Sequence, residues 1–226
     1  MAKVVIGDIL WGELKSDAVI RLRSLTLANE RFLACRGSIL KQIGGKIDQN
    51  TTFFLKGYGN NPELMSCLRE LMFNGRELLD DLLIRLNIAT RGKAIQTARD
   101  FLPFSRNMMK GEYDRLRLEI IDFLKTNITY VFHIRKIRNE IKNRVSNIKF
   151  RFVTNHVELY FRIPIKGDEI ELVQYLDILN KDEAMKKRNY GCVFNLDVYF
   201  PEMIEFWKTA IDVLGQSIRR LTTDLS

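Results

Sequence analysis

At 226 residues, with 46% hydrophobic and 28% charged positions, the chain has the make-up of a folded protein that can bury roughly 70–75% of its unfolded surface, which excludes disorder over most of its length. Cys35, Cys67 and Cys192 are far apart, odd in number and form no Cys-x-x-Cys pair, which excludes a disulfide framework or a zinc knuckle and fits a reducing compartment. The formal charge of +8 and a pI near 9.4 favour acidic partners such as RNA, DNA or nucleotides.

Few prolines and glycines, 4 and 13, favour long regular elements. The first helix is expected to open at Ser16, a good N-cap, with Val19, Leu22, Leu25, Phe32, Ile39 and Ile43 facing inward before the Gly44-Gly45 stop. Residues 44–61, rich in Gly, Asn and Thr, read as a mobile connection in which Phe53, Phe54 and Leu55 tuck against the body. Asn61-Pro62 is an N-cap followed by a first-turn proline, and Met65, Leu68, Leu71, Met72, Leu79, Leu82, Leu83 and Leu86 give the apolar face of a second helix ending near Asn87.

A short helix over Lys93–Leu102 stops at Pro103, and a third long helix runs from Glu112 to Val145. The period then changes from 3.6 to 2. Ile148, Phe150 and Phe152 alternate with Lys149 and Arg151, and Leu159, Phe161 and Ile163 alternate with Glu158, Tyr160 and Arg162 across Thr154-Asn155, which predicts a β-hairpin that must lie on the helices. Asp168–Leu179 is expected to be helical, Lys181–Asn189 polar and basic, Cys192–Phe194 a short strand, and Pro201 the start of a last helix. The expected fold is mainly α, an up-and-down helical bundle with an added β-hairpin. No linker divides the chain, so one domain is expected, with a helical core over 15–146, the hairpin over 147–165 and C-terminal helices over 168–222.

Charge is placed rather than spread. His133–Arg151 holds seven Lys/Arg (Arg135, Lys136, Arg138, Lys142, Arg144, Lys149, Arg151) against one acid, Glu140, a surplus of six in nineteen residues. On a helical wheel the apolar arc centres near Ile137 and Ile141, Arg138 falls on its border and Lys142 just beyond, so Arg135, Arg138, Asn139 and Lys142 form one polar seam beside the core. A border arginine is partly desolvated, which strengthens its bonds to phosphate or carboxylate. The plainer alternative is a solvated basic face, or Arg138 paired to a core carboxylate.

The helix ending Ile137-Arg138-Asn139-Glu140-Ile141-Lys142-Asn143-Arg144, preceded by the helix carrying Phe73-Asn74-Gly75-Arg76-Glu77-Leu78-Leu79-Asp80, resembles the helical core of the HEPN superfamily (higher eukaryote and prokaryote nucleotide-binding domains) over residues 15–145. The resemblance implies a helical bundle that forms homodimers and, in many members, a metal-independent ribonuclease of toxin–antitoxin or phage-defence systems. The family hallmark is an Arg, usually followed by a polar residue such as Asn, with a His four to six positions beyond the Arg. Arg138 matches the Arg and Asn139 the polar residue, while the position five after Arg138 holds Asn143.

On that resemblance Arg138, Asn139 and Asn143 occupy the catalytic positions, and Arg135, Arg138, Lys142 and Arg144 would contact RNA or a nucleotide. Arg138 would hold the phosphate, Asn139 would orient it or stabilise the helix end, and Asn143 would stand where the general acid/base is normally found. A cleaving member would work by attack of the ribose 2′-hydroxyl, giving a cyclic phosphate. An amide cannot titrate as imidazole does, and loss of a general acid/base costs about 10²–10⁴-fold in rate, so cleavage is expected to be weak or absent. The family's genomic habit implies a nucleotidyltransferase-type antitoxin partner. The alternative function is a non-catalytic, dimeric protein-interaction module.

Of the two histidines, His133 reads as a surface or packing residue, and His156 sits at the hairpin tip, where it could reach a partner's Arg138 only if the dimer geometry allowed it. Arg76, Glu77, Asp80, Asp81 and Arg85 read as intrahelical ion pairs rather than metal ligands. Gly57-Tyr58-Gly59-Asn60-Asn61 lacks the strand, third Gly and Lys-Ser/Thr of a phosphate loop. Lys186-Lys187-Arg188 with Tyr190, and Arg219-Arg220, are secondary basic patches that a solvated loop and a last helical turn explain. No cofactor and no metal are expected. Met1–Leu10 is too poor for a signal peptide and no apolar run reaches the roughly 18 residues of a membrane span, so a cytoplasmic protein without a membrane partner is expected.

Overall fold

The computed structural model describes residues 6–43, 52–56, 61–91, 103, 105–107, 110, 118–143, 148–153 and 156–223. Long helices α1 (Ile6–Ile43), α2 (Pro62–Arg91) and α7 (Leu196–Thr223) pack on one another, and α4 (Ile128–Asn143) packs on α2, with α3 (Leu118–Thr126) beside α4 and α7. Strands β1 (Thr52–Lys56), β2 (Lys149–Val153), β3 (His156–Pro164) and β4 (Asn189–Asn195) form one antiparallel sheet in the order β1-β2-β3-β4. The short elements α5 (Ile170–Val173) and α6 (Lys181–Lys187) connect β3 to β4. The fold is therefore mainly α with the predicted hairpin inside a small sheet, and none of the described helices is long and apolar enough to cross a membrane.

The α2 face forms as its sequence requires. The Asn61 Oδ1 accepts the Leu64 N–H at 3.1 Å, capping the helix, and Pro62 occupies the first turn, where no N–H is needed. Leu64, Leu68, Leu71, Leu78, Leu82 and Leu83 are then fully buried, each contributing about 1.5–3 kcal/mol of transfer free energy. Gly75 sits where α2 meets α7: a Cβ there would lie 3.0 Å from Trp207 Nε1. The missing side chain is what lets the two helices close over the indole.

Four expectations are corrected. α1 begins at Ile6, ten residues before Ser16, and buries Ala18 while leaving Val19 exposed. Phe53, Phe54 and Leu55 belong to strand β1, in register with Phe152, Arg151 and Phe150; an edge strand bounded by Gly/Asn-rich segments has too short a period-2 run to stand out in sequence. The third long helix is divided at Asn127 into α3 and α4, and there the Phe123 carbonyl accepts both the Asn127 backbone N–H at 3.1 Å and its side-chain Nδ2 at 2.8 Å. α7 begins at Leu196, so Pro201 lies inside it; Asn195 Oδ1 accepts the Asp197 N–H at 3.1 Å and provides the helix start that the sequence pattern places at Pro201.

Two further differences lie between β3 and β4. The helix expected over Asp168–Leu179 is a 3-10 turn at Gly167–Glu169 followed by the four-residue α5, and the basic stretch after it is helical, as α6. The helix expected over Lys93–Leu102 lies outside the described residues. Sheet and helices share the core: Phe150, Phe152, Val157, Leu159 and Ile163 are buried, and Asp197 joins the layers by accepting the Val157 N–H at 2.9 Å and ion-pairing with Arg36 of α1 at 2.5 Å.

Candidate nucleic-acid interface

On α4, Ile137 and Ile141 are buried and Arg138 is half-buried at the border, as the helical wheel requires. The Arg138 guanidinium lies over the Phe73 ring of α2, 4.8 Å from its centroid, and its Nη1 donates to the Asn139 Oδ1 at 3.3 Å. Its Nε is buried without a hydrogen-bond partner. Arg69, one turn before Phe73, reaches the same ring at 5.9 Å. Beside them opens a groove of about 460 Å³ lined by Pro62, Met65, Ser66, Arg69, Glu70 and Phe73.

The neighbouring carboxylates are occupied. Glu70 pairs with Arg31, Glu77 with Arg21, Asp80 with Arg76 at 2.8 Å, and Asp81 with Arg21 and Arg85 at 3.7 and 3.8 Å. The cluster on α2 thus forms the intrahelical ion pairs read from its spacing, with α1 adding further cations. Among the described residues no carboxylate pairs with Arg138 or Arg69. A guanidinium stacked on a ring keeps its full charge and its in-plane donors, so it can still bind a phosphate edge-on.

The remaining seam residues separate. Asn139 and Arg135 are half-buried, and Arg135 has interactions of its own. Lys142 and Asn143 are exposed on the last turn of α4, and Arg144 lies outside the described residues. The basic surplus is smaller in three dimensions than in sequence. Lys136 is buried, donates to the Pro164 carbonyl at 2.9 Å and pairs with Glu169, while Arg151 pairs with Glu158 across the hairpin. Burial pulls the Lys136 ammonium below its ordinary pKa, and the bond to Glu169 opposes that pull.

Both histidines have partners of their own. His133 is buried, its Nε2 2.7 Å from the Tyr190 hydroxyl and its ring edge-on to Phe194, and desolvation lowers its pKa to about 4. It is a neutral packing residue. His156, at the start of β3, bonds Glu158 through Nε2 at 3.2 Å. Both imidazoles are thus engaged by other groups, and His133 lies roughly 15 Å from Asn143 along the α4 axis.

Sequence spacing does not single out Arg69 and Phe73, although an Arg and a Phe four apart share one helical face. What the spacing could not say is that α4 would deliver a second guanidinium to the same ring. Comparison with models of protein families, with curated proteins and with solved structures finds no match to this chain.

Proposed function

We propose that this is an RNA- or nucleotide-binding protein of HEPN-like character, in which Arg138 holds a phosphate, Arg69 and Lys142 extend the positive surface and Asn139 orients the Arg138 guanidinium. The carrying observation is that Arg138 packs half-buried on Phe73 with no carboxylate partner among the described residues, while the acids on the adjacent face of α2 are already matched to other arginines. Partial burial strengthens a charge-assisted bond to an incoming anion. With both histidines engaged elsewhere, the protein binds rather than cleaves, or cleaves weakly. A homodimer that pairs two such seams across a two-fold, and a nucleotidyltransferase-type antitoxin in a toxin–antitoxin or defence pair, belong to the same proposal.

The test is RNA binding at several salt concentrations. Arg138→Ala combined with Lys142→Ala is expected to weaken binding at least tenfold and to flatten the salt dependence by roughly 0.7 for each phosphate of a single strand that is no longer neutralised. If binding is unchanged while the fold loses stability, the seam is structural. That outcome favours a second reading, a non-catalytic interaction module, which the engagement of both imidazoles also supports. Asn143→His restores the missing acid/base position and is expected to give EDTA-insensitive cleavage with cyclic-phosphate ends.

A further inference from the structure

A second groove, of about 520 Å³, opens where α3, the Asn127 break and α4 meet α7, far in chemistry from the Arg138 seam. Three aromatic rings line it. Phe123 and Phe206 stack with centroids 5.9 Å apart and planes 8° from parallel, and Tyr130 lies 4.7 Å from Phe206. Among the described residues, the charged groups that line it are Glu202 and Glu205, both exposed on α7. Glu205 pairs with Lys208 at 2.6 Å; Glu202 has no ion-pair partner among the described residues.

Two polar atoms beneath this surface are unsatisfied. The Tyr130 hydroxyl is buried without a hydrogen-bond partner, and so is that of Tyr199, a 7%-exposed residue whose ring lies 5.3 Å from Tyr130. Leaving a buried hydroxyl unpaired costs about 1–3 kcal/mol. Glu202 lies close enough to add to the burial that raises both phenols above their ordinary pKa. In a chain with a surplus of eight positive charges, this hollow is negative and aromatic.

We infer that the groove between Phe123, Tyr130 and Phe206, rimmed by Glu202, is a docking site for an arginine side chain of a partner polypeptide. Ring faces and a carboxylate together favour a cation, and a planar guanidinium lies flat on an aromatic face while its edge donates to a carboxylate. The exposed rim leaves room for a side chain delivered from outside with its backbone across α7. This inference stands on residues separate from the Arg138 seam and does not depend on RNA binding.

The experiment titrates the full chain with a short arginine-containing peptide, followed by NMR shifts of the aromatic signals, beside the same peptide carrying neutral citrulline. The arginine peptide is expected to saturate and citrulline to weaken binding about tenfold, the equivalent of 1.4 kcal/mol. Glu202→Gln and Phe206→Leu are each expected to weaken it several-fold, while Glu183→Gln on α6 leaves it unchanged. Equal binding of the citrulline peptide, or insensitivity to Glu202→Gln, overturns the inference. So does equally tight binding of N-acetyl-arginine amide, which would make the groove a small-molecule site. Should Phe206→Leu fail to fold, the citrulline and Glu202→Gln arms decide alone.

Discussion

The α1–α2 seam and the α2–α4 seam are both rich in arginine, yet they treat it differently. Along α1–α2, Arg21, Arg31, Arg76 and Arg85 each meet a carboxylate, some within one helix and some between helices. Along α2–α4, Arg69 and Arg138 meet the face of Phe73. The first seam neutralises its charge internally and is a fastening. The second keeps its charge, because a ring stabilises a cation without neutralising it. Whether an arginine is available to a phosphate is thus decided by what lies across from it, not by how many basic residues surround it in the chain.

The strongest way to sharpen this contrast is to strip a paired, buried cation of its acid. Glu169→Gln leaves Lys136, 7% exposed at its side chain, inside the protein without its countercharge, with one neutral amide oxygen left to accept from both Lys136 and the Lys166 N–H. A loss of about 3–5 kcal/mol is expected, read as a lower denaturation midpoint, with Lys136→Met in addition recovering part of it. No change would mean that the pair is solvated in solution.

Acid tests the same core next. The folded pKa of His133, about 4, lies below its ordinary 6.5, so the unfolded chain binds the proton first as pH falls. Stability from this group is intact above pH 6.5, declines between 6.5 and 4 and is fully lost below 4, amounting to about 3 kcal/mol at 1.36 kcal/mol per unit. Urea melts across that range should show a slope in the wild type that His133→Gln removes, over and above any carboxylate contribution common to both.

The smallest effects separate the two seams directly. Arg21→Ala breaks partly exposed pairs with Glu77 and Asp81 and is expected to cost about 0.5–1 kcal/mol of stability with RNA affinity unchanged. Arg69→Ala should do the reverse, leaving the melting curve in place while weakening RNA several-fold. Equal RNA effects from the two variants would erase the distinction drawn between a paired and a stacked guanidinium.

Local pattern made several parts of this molecule legible. The Asn61-Pro62 start of α2, its leucine face, the pairs of Arg76 with Asp80 and Arg85 with Asp81, and the alternation of β2 and β3 all follow from spacings of two to four residues, and each is found. The border position of Arg138 was equally readable, because the apolar arc of α4 fixes it. Harder to read was β1, a five-residue strand supported by pairing with β2, nearly a hundred residues later in the chain. The division at Asn127 was also hidden, since it falls within an otherwise continuous apolar pattern.

By itself the sequence determined which faces must be buried, where most helices and the hairpin form, and that a cluster of cations sits near the end of α4, because these depend on periodicity and on neighbours along the chain. Only the tertiary structure decided which of those cations remain available. It sank Lys136 against Glu169, closed Arg151 onto Glu158, tied His133 to Tyr190 and left Arg138 on an aromatic face. The reason is physical: a side chain's charge is set by burial and by the partner across the packed interface, and those partners come from segments that no local spacing connects.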